Sequence, residues 1–133
     1  MVNNIKITAK IYNLDKPTRK GRLYTKDALE KAFNNKAFVD KNEHNAIPIR
    51  TEDGDIVGTA HCSLDYPTIN IEGVISGRFA DVLNDACLTH SGCGYVEYDA
   101  ENNRQIVTDH KLCELLLSNA AYVDCSMEVV KER

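Results

Sequence analysis

The sequence lacks the extended runs that mark membrane proteins and nucleic-acid-binding proteins. No segment approaches the roughly 20 consecutive apolar residues that a bilayer span requires, and the opening MVNNIKITAK has no apolar core of the kind found in signal peptides. Lysine and arginine form no dense run, and the formal net charge is -4. A phosphate backbone is therefore not an expected partner, and we predict a soluble protein that binds neither membrane nor nucleic acid.

Closely spaced cysteine pairs are also missing, because no two cysteines stand in a CxxC motif. Each cysteine is embedded in apolar sequence and not in a turn. We predict that all of them are reduced and packed as small hydrophobic residues. The five cysteines are Cys62, Cys87, Cys93, Cys113 and Cys125.

Two His-x-x-Cys spacings come nearest to a metal site. His90 and Cys93 form one, and His110 and Cys113 form the other. Together they would supply four zinc ligands only if the fold brought both pairs together, and they lack the cysteine-rich spacing of structural zinc sites. Core packing is the alternative interpretation, and we predict no metal and no other cofactor.

The chain is long enough for one domain. With 133 residues it can bury most of its apolar surface in one core, but not in two independent cores. No repeat, low-complexity tract or linker divides it. We predict a single domain over residues 1–133.

Hydrophobic periodicity predicts a chain made mainly of strands. Residues 5–11 alternate between apolar and polar side chains, which is the period of a strand with one buried face. The pair Asp53-Gly54 is a strong turn signal, so the residues on either side of it are predicted to form a hairpin. Periodicity leaves residues 109–117 open between a short helix and a strand. The other predicted strands are 47–50, 56–63, 68–74, 92–98, 105–108 and 122–130.

Two helices are predicted between the strands. Thr25 can cap a helix that buries Leu29, and Ser76 can cap a second helix that reaches Cys87. Residues 36–45 are polar and are predicted to be a loop. The expected fold is α+β, a mainly antiparallel β-barrel of six or seven strands, closed or nearly closed, flanked by two helices.

Five short motifs follow one another in a definite order along the chain. KGRLYTKDALEKAF comes first, and four motifs between residues 47 and 79 follow it. These four are Ile47-Pro48-Ile49, Ile56-Val57-Gly58, the strand from Ile69 to Gly73, and Ser76-Gly77-Arg78-Phe79. In this order the chain resembles the herpesvirus assemblins and the prohead (capsid maturation) proteases of tailed phages. The resemblance implies an assemblin-like barrel and favours a strand for residues 109–117.

The resemblance also implies a Ser nucleophile that is activated by a His base, because a hydroxyl is a weak nucleophile near pH 7 without one. The position of the catalytic His falls on Thr51, which cannot act as a base. The position of the nucleophile falls on Gly92, in the run Gly92-Cys93-Gly94-Tyr95. Both catalytic positions are therefore degenerate, and an inactive relative is favoured over an active one.

An alternative catalytic site remains open. Ser91 lies one residue from the nucleophile position and would reach it if a bulge shifted the strand. His61 or His110 would then be the base, although a structural or solvated role is the other interpretation of these histidines. A thiol nucleophile at Cys93 is a further alternative.

Three functions are compatible with this sequence. The favoured one is a phage capsid-assembly protein that binds capsid or scaffold protein and has lost hydrolysis. The second is an active serine-type prohead maturation protease with a rearranged Ser/His site. The third is a host-directed phage protein that binds or inhibits a cellular partner. The resemblance implies a location in the host cytoplasm or the virion and allows a homodimer or homo-oligomer.

Overall fold

The computed structural model describes residues 4–17, 22–44, 46–79, 87–102, 104–118 and 124–130. Within these ranges the fold is α+β and mostly strands, as predicted. The strands are β1 (Ile5–Tyr12), β2 (Arg22–Tyr24), β3 (Ile47–Thr51), β4 (Ile56–Asp65), β5 (Thr68–Ile75), β6 (Cys87–Asp99), β7 (Arg104–Ser118) and β8 (Asp124–Val129). The helices are α1 (Lys26–Asn34) and α2 (Lys36–His44).

The strands form one sheet that is organised around the long strand β7. Along one edge of β7, β6 pairs antiparallel over the full length of the strand. β2 and β3 pair in parallel with β7 at separate places, β2 at residues 105–107 and β3 at residues 115–117. From β3 the sheet continues through β4, β5 and β1 to β8. The strand prediction for residues 109–117 is therefore confirmed.

Six strands of this sheet curl into a half-barrel, which is more open than the closed or nearly closed barrel predicted from the pattern. The curl brings β6 towards β8, since the Leu88 amide donates to Cys125 Sγ at 3.3 Å. No ladder joins β6 to β8 over the described residues. The barrel is thus left open along this seam.

The core lies on one face of the curled sheet. β1 shows why, because Ile7, Ala9 and Ile11 are buried while the alternate residues face solvent. The same alternation on the neighbouring strands supplies most of the apolar layer, and Leu14 after β1 and Leu29 on α1 add to it. Its largest fully buried side chains are Ile7, Ile11, Leu14, Leu29, Ile47, Ile49, Val57, Ile69, Ile71, Ile75, Leu88 and Leu115.

The helix α1 forms where the sequence predicts it. Thr25 Oγ1 accepts a hydrogen bond from the Ala28 amide at 3.1 Å, as expected of an N-cap. The helix buries Ala28, Leu29 and Ala32, which lie on one face because they are spaced three and four residues apart. This face docks α1 onto the sheet.

The helix α2 occupies residues that were predicted to be a loop, so that prediction is wrong. Its sequence has only a weak apolar stripe, and the first turn contains no acidic residue. The buried Phe38 packs edge-on against Phe33 of α1, with ring centroids 5.0 Å apart. Contact with α1 stabilises this helix, and a sequence pattern does not record such a contact.

The second predicted helix is also wrong at its C-terminal end. After Ser76 the described chain makes only a short 3₁₀ turn at residues 77–79, and residues 80–86 lie outside the described part. Cys87, which the helix was predicted to include, is instead the first residue of β6. The β6 strand therefore begins five residues before the predicted start at residue 92.

The predicted turn between β3 and β4 is confirmed. The Thr51 amide donates to the Asp55 carbonyl, and the Gly54 amide donates to the Thr51 carbonyl, each at 2.9 Å. Gly54 has a φ of 93°, in the left-handed region that glycine adopts without a steric cost. The Asp-Gly signal identified this hairpin because the turn chemistry is local.

The cysteine prediction is confirmed for one residue and wrong for another. Cys62 is free and buried. Cys125 is disulfide-bonded, so the prediction that every cysteine is reduced does not hold. An odd cysteine count excludes complete pairing but not a single bond. The side chains of Cys87, Cys93 and Cys113 lie outside the described part.

A search of the described helices for a membrane span found none that is both long enough and apolar enough to cross a bilayer.

Candidate functional site

The register of β6 and β7 does not bring the predicted nucleophile Ser91 and the predicted base His110 together, because the residue opposite His110 is three positions from Ser91, about 10 Å along an extended strand. Ser91 pairs with Glu114, and His110 pairs with Gly94. The register shifts between Ser91 and Gly92, but the extra residue is Cys113 on β7. A Ser91 nucleophile would require a bulge on β6 instead. The side chains of Ser91 and His110 lie outside the described part, so this site stays a prediction.

The sheet separates the two degenerate positions, Thr51 and Gly92. Thr51 pairs with Leu117 on β7, which in turn pairs with Leu88 on β6. Gly92 is four residues further along β6, a distance of about 13 Å for an extended strand. The two positions are therefore not neighbours on this sheet.

Thr51 occupies the place where the resemblance puts the catalytic His. Its hydroxyl oxygen is buried and has no hydrogen-bond partner among the described residues. Such an oxygen is neither presented to a substrate nor coupled to a base. In the described part of the chain, Thr51 is a packed residue at the end of β3.

His61 lies on β4, away from the other predicted catalytic residues. β7 and β3 lie between β6 and β4 in the sheet, so pairing does not bring His61 to Ser91. The imidazole is exposed and its Nδ1 hydrogen-bonds the Asn42 carbonyl oxygen. A carbonyl oxygen only accepts, so Nδ1 is the protonated nitrogen of His61.

The outer face of the sheet has a shallow cavity of mixed polar and apolar lining beside His61. Its volume is about 370 Å³. Glu72 is the cross-strand partner of His61, and Thr8 is the partner of Glu72 on the next strand. No group of three or more His, Cys, Asp or Glu side chains suited to a metal occurs in the described part of the chain. The cavity is lined by residues that include Lys6, Thr8, Thr59, His61, Glu72 and Val130.

Charged side chains hold the end of β3 against β7. Arg50 Nε donates to Glu114 Oε2 at 2.8 Å, and another guanidinium nitrogen donates to the Gly54 carbonyl at 2.7 Å. The buried Ser118 hydroxyl donates to Glu52 Oε1, also at 2.7 Å. Sequence reasoning missed these pairs, because Arg50 and Glu114 are 64 residues apart and no local pattern joins them.

A second cavity, which we term the α1–α2 groove, lies between both helices and the last residues of β4. Its volume is about 370 Å³. The edge-on pair of Phe33 and Phe38 provides an aromatic wall. Its lining includes Glu30, Phe33, Phe38, Val39, Asn42 and Leu64.

At the floor of this groove, the side chain of Asn42 bonds the edge of β4 where β3 no longer pairs with it. β3 covers β4 only as far as Ala60, which pairs with Ile47. Two residues further on, Asn42 Oδ1 accepts from the Cys62 amide and Asn42 Nδ2 donates to the Cys62 carbonyl, both at 2.9 Å. One side-chain amide thus satisfies both backbone groups that Cys62 presents at this edge.

The groove contains no activated nucleophile among its described residues. Cys62 is its single cysteine, and burial raises the pKa of this thiol from 9.0 to about 12. The thiol is therefore neutral near pH 7, whereas the thiolate is the reactive form. An aromatic wall and an inert thiol suit binding and not acyl transfer.

Comparison with known proteins adds no family to this description: no family model matches the chain, and no curated protein or solved structure is significantly similar to it.

Proposed function

We propose that this chain is a phage capsid-assembly protein with a prohead-protease-like fold that binds capsid or scaffold protein without hydrolysing it. The observation that carries the proposal is Thr51. Where the resemblance requires an imidazole in contact with a nucleophile, this chain has a buried hydroxyl without a partner among the described residues. A Ser-His mechanism loses orders of magnitude in rate without its base.

The arrangement of the motifs on the sheet supports the same proposal. Four of the five motifs that carry the resemblance lie on β2 with α1, and on β3, β4 and β5, and these last three strands are neighbours in the sheet. The fifth motif, from Ser76 to Phe79, follows β5 and includes a short 3₁₀ turn at residues 77–79. The half-barrel with one helix docked on β7 and β4 agrees with a β-rich core flanked by helices. The only thiol described as free, Cys62, is neutral at physiological pH because of its raised pKa.

The alternative is an active serine-type maturation protease, in which Ser91 would replace the missing nucleophile. The register of the hairpin does not favour it, because the residue inserted beside Ser91 is Cys113 on β7, whereas a change in the face of Ser91 requires a bulge on β6. His110 on the adjacent strand would then be the base. Hydrolysis in this form would depend on both side chains.

The test uses the purified full chain with the scaffold and major capsid proteins encoded in the same genome. Co-sedimentation with assembled particles and size-exclusion chromatography measure association, and mass spectrometry of the partner measures cleavage. We expect association with an intact partner, unchanged in Ser91→Ala. Absence of association would overturn the proposal.

Cleavage that disappears in Ser91→Ala and in His110→Ala, with unfolding transitions unchanged, would establish the protease in its place. Thr108→Ala provides a nearby substitution on β7 as a control. It should leave any cleavage intact.

A further inference from the structure

The edge of β4 is left open where it meets the α1–α2 groove. Cys62 directs its amide and carbonyl towards Asn42, on the side away from β5. Backbone groups two residues apart on a strand point to the same side. Leu64 therefore directs its amide and carbonyl to this edge too, and the structure gives them no partner there among the described residues.

Four apolar side chains around this edge form a slot, and the polar residues Asn34, Asn42 and Ser63 share its lining. Phe38 is buried, while Phe33, Val39 and Leu64 are only partly buried, although all four contribute to the core or pack against it. A strand-addition site has two elements, a free strand edge and a pocket of partly covered apolar side chains beside it. The backbone edge supplies hydrogen bonds, and the slot accepts an alternate side chain.

Charge at the rim restricts what can bind. Glu30 is the one charged side chain among the described residues that line the groove. Its partner Lys26 is 3.8 Å away, and both side chains are largely exposed, so the pair is weak and open to exchange. A cation on the occupant would be favoured beside the slot.

We propose that the α1–α2 groove binds an extended peptide segment of a partner protein, which pairs with the free edge of β4 at Leu64. The segment carries an aliphatic or aromatic side chain for the slot and a neighbouring lysine or arginine for Glu30. Asn42 indicates which groups the peptide would use, because its side-chain amide already pairs with the backbone of Cys62 at this edge. An extended backbone offers the same donor and acceptor to Leu64.

This inference deepens the proposed function and rests on it for the source of the peptide, a capsid or scaffold protein. The test uses a random 12-residue peptide display library and no capsid protein. Failure of the groove and failure of capsid association are therefore separate results. The full chain is immobilised, and the most enriched sequence is synthesised with a fluorescent label.

Two measurements follow on that labelled peptide. Amide hydrogen exchange by NMR reports on the edge, and we expect exchange at Leu64 to slow at least tenfold when peptide is bound, since pairing removes the open amide from solvent. Fluorescence anisotropy reports on the rim. We expect Glu30→Lys to weaken binding at least about fivefold, with a smaller difference in high salt.

The matched control is Asp27→Lys, the same change of charge on the same helix at a residue outside the groove lining. It should change the affinity less than twofold. Thermal unfolding of both variants checks that each is folded, and both positions are exposed.

Three results would overturn the inference. They are a library that yields no binding peptide, a bound peptide that leaves Leu64 exchange unchanged, and equal weakening by Glu30→Lys and Asp27→Lys. Enriched peptides that slow Leu64 exchange, carry a basic residue and respond only to Glu30→Lys would support it.

Discussion

The β4–β5 hairpin and the β6–β7 hairpin are both long, but only the first keeps an unbroken register. β4 and β5 pair without interruption from Gly58 opposite Ile75 to Asp65 opposite Thr68. β6 and β7 change register twice, after Ser91 and after Tyr95. The regular hairpin is central in the sheet and packs on the core, whereas the irregular one includes an outer strand. Irregularity is concentrated next to the positions that the resemblance associates with catalysis.

The β4–β5 hairpin is the more constrained of the two, and the β6–β7 hairpin tolerates more change. In β4 and β5 a close backbone approach at Gly58 and a buried face restrict nearly every position. In β6 and β7 the ends are joined by surface contacts such as Asp99 with Arg104, 3.2 Å apart. We expect substitutions in the first hairpin to affect folding, and those at the turn of the second to affect local properties.

The largest effect is expected from Gly58→Ala. A Cβ at Gly58 would lie 2.1 Å from the Val74 carbonyl oxygen, and because that atom belongs to the backbone, the ladder would have to move. We expect a loss of about 3 kcal/mol in the free energy of unfolding, at the upper end of overpacking effects. Chemical denaturation measures it.

Gly73→Ala is the control in the same hairpin. There the nearest atom to the added Cβ is a backbone oxygen at 3.0 Å, so the adjustment is a few tenths of an ångström. We expect about 1 kcal/mol. Equal losses at the two glycines would contradict the steric explanation.

A smaller effect is expected from the pH dependence at Cys62. Its pKa is raised from 9.0 to about 12 by burial, so the folded state keeps the neutral thiol while the unfolded state ionises above pH 9. This contribution to stability is complete below pH 9 and is lost as the pH rises towards 12. At pH 10.5 the loss is about 2 kcal/mol.

Cys62→Ala serves as the reference for this measurement. Denaturation midpoints of both proteins between pH 8 and pH 10.5 give the difference in slope. The wild-type protein should lose more stability over this interval than Cys62→Ala. Parallel curves would show that the thiol of Cys62 is accessible.

The smallest effect is expected at the turn of β6 and β7. The pKa of Asp99 is held below its usual range, first by the hydrogen bond that the Asn102 side chain donates at 2.8 Å and then by Arg104. A lowered pKa contributes stability above the unfolded value of about 3.9, and this is lost as the pH falls through the folded pKa. The partners of Asp99 lie in the same turn, so the contribution is local.

An NMR titration of the Asp99 carboxyl carbon checks this order of causes. Asn102→Ala should raise the pKa of Asp99 more than Arg104→Gln does. The reverse order would mean that the charge of Arg104 dominates the hydrogen bond. Neither variant should change the register of β4 with β5.

Part of the candidate site could be predicted from the sequence. The degenerate character of Thr51 follows from its residue type, because threonine has no basic side chain. The α1–α2 groove was not predicted, since half of it is built by α2, which was assigned to a loop. The pairing of Asn42 with Cys62 joins residues 20 apart, and a carboxamide in a polar segment has no pattern that indicates such a role.

The sequence by itself determined the elements whose signals are local: the alternating strand β1, the capped helix α1, and the Asp-Gly turn between β3 and β4. Each follows from side-chain period or turn chemistry within a few residues. Tertiary structure decided the helix α2, the openness of the barrel, the bonded state of Cys125 and the free edge at Leu64. The edge at Leu64 is free with respect to the described residues. All four features depend on contacts between distant segments, where packing energy exceeds local preference.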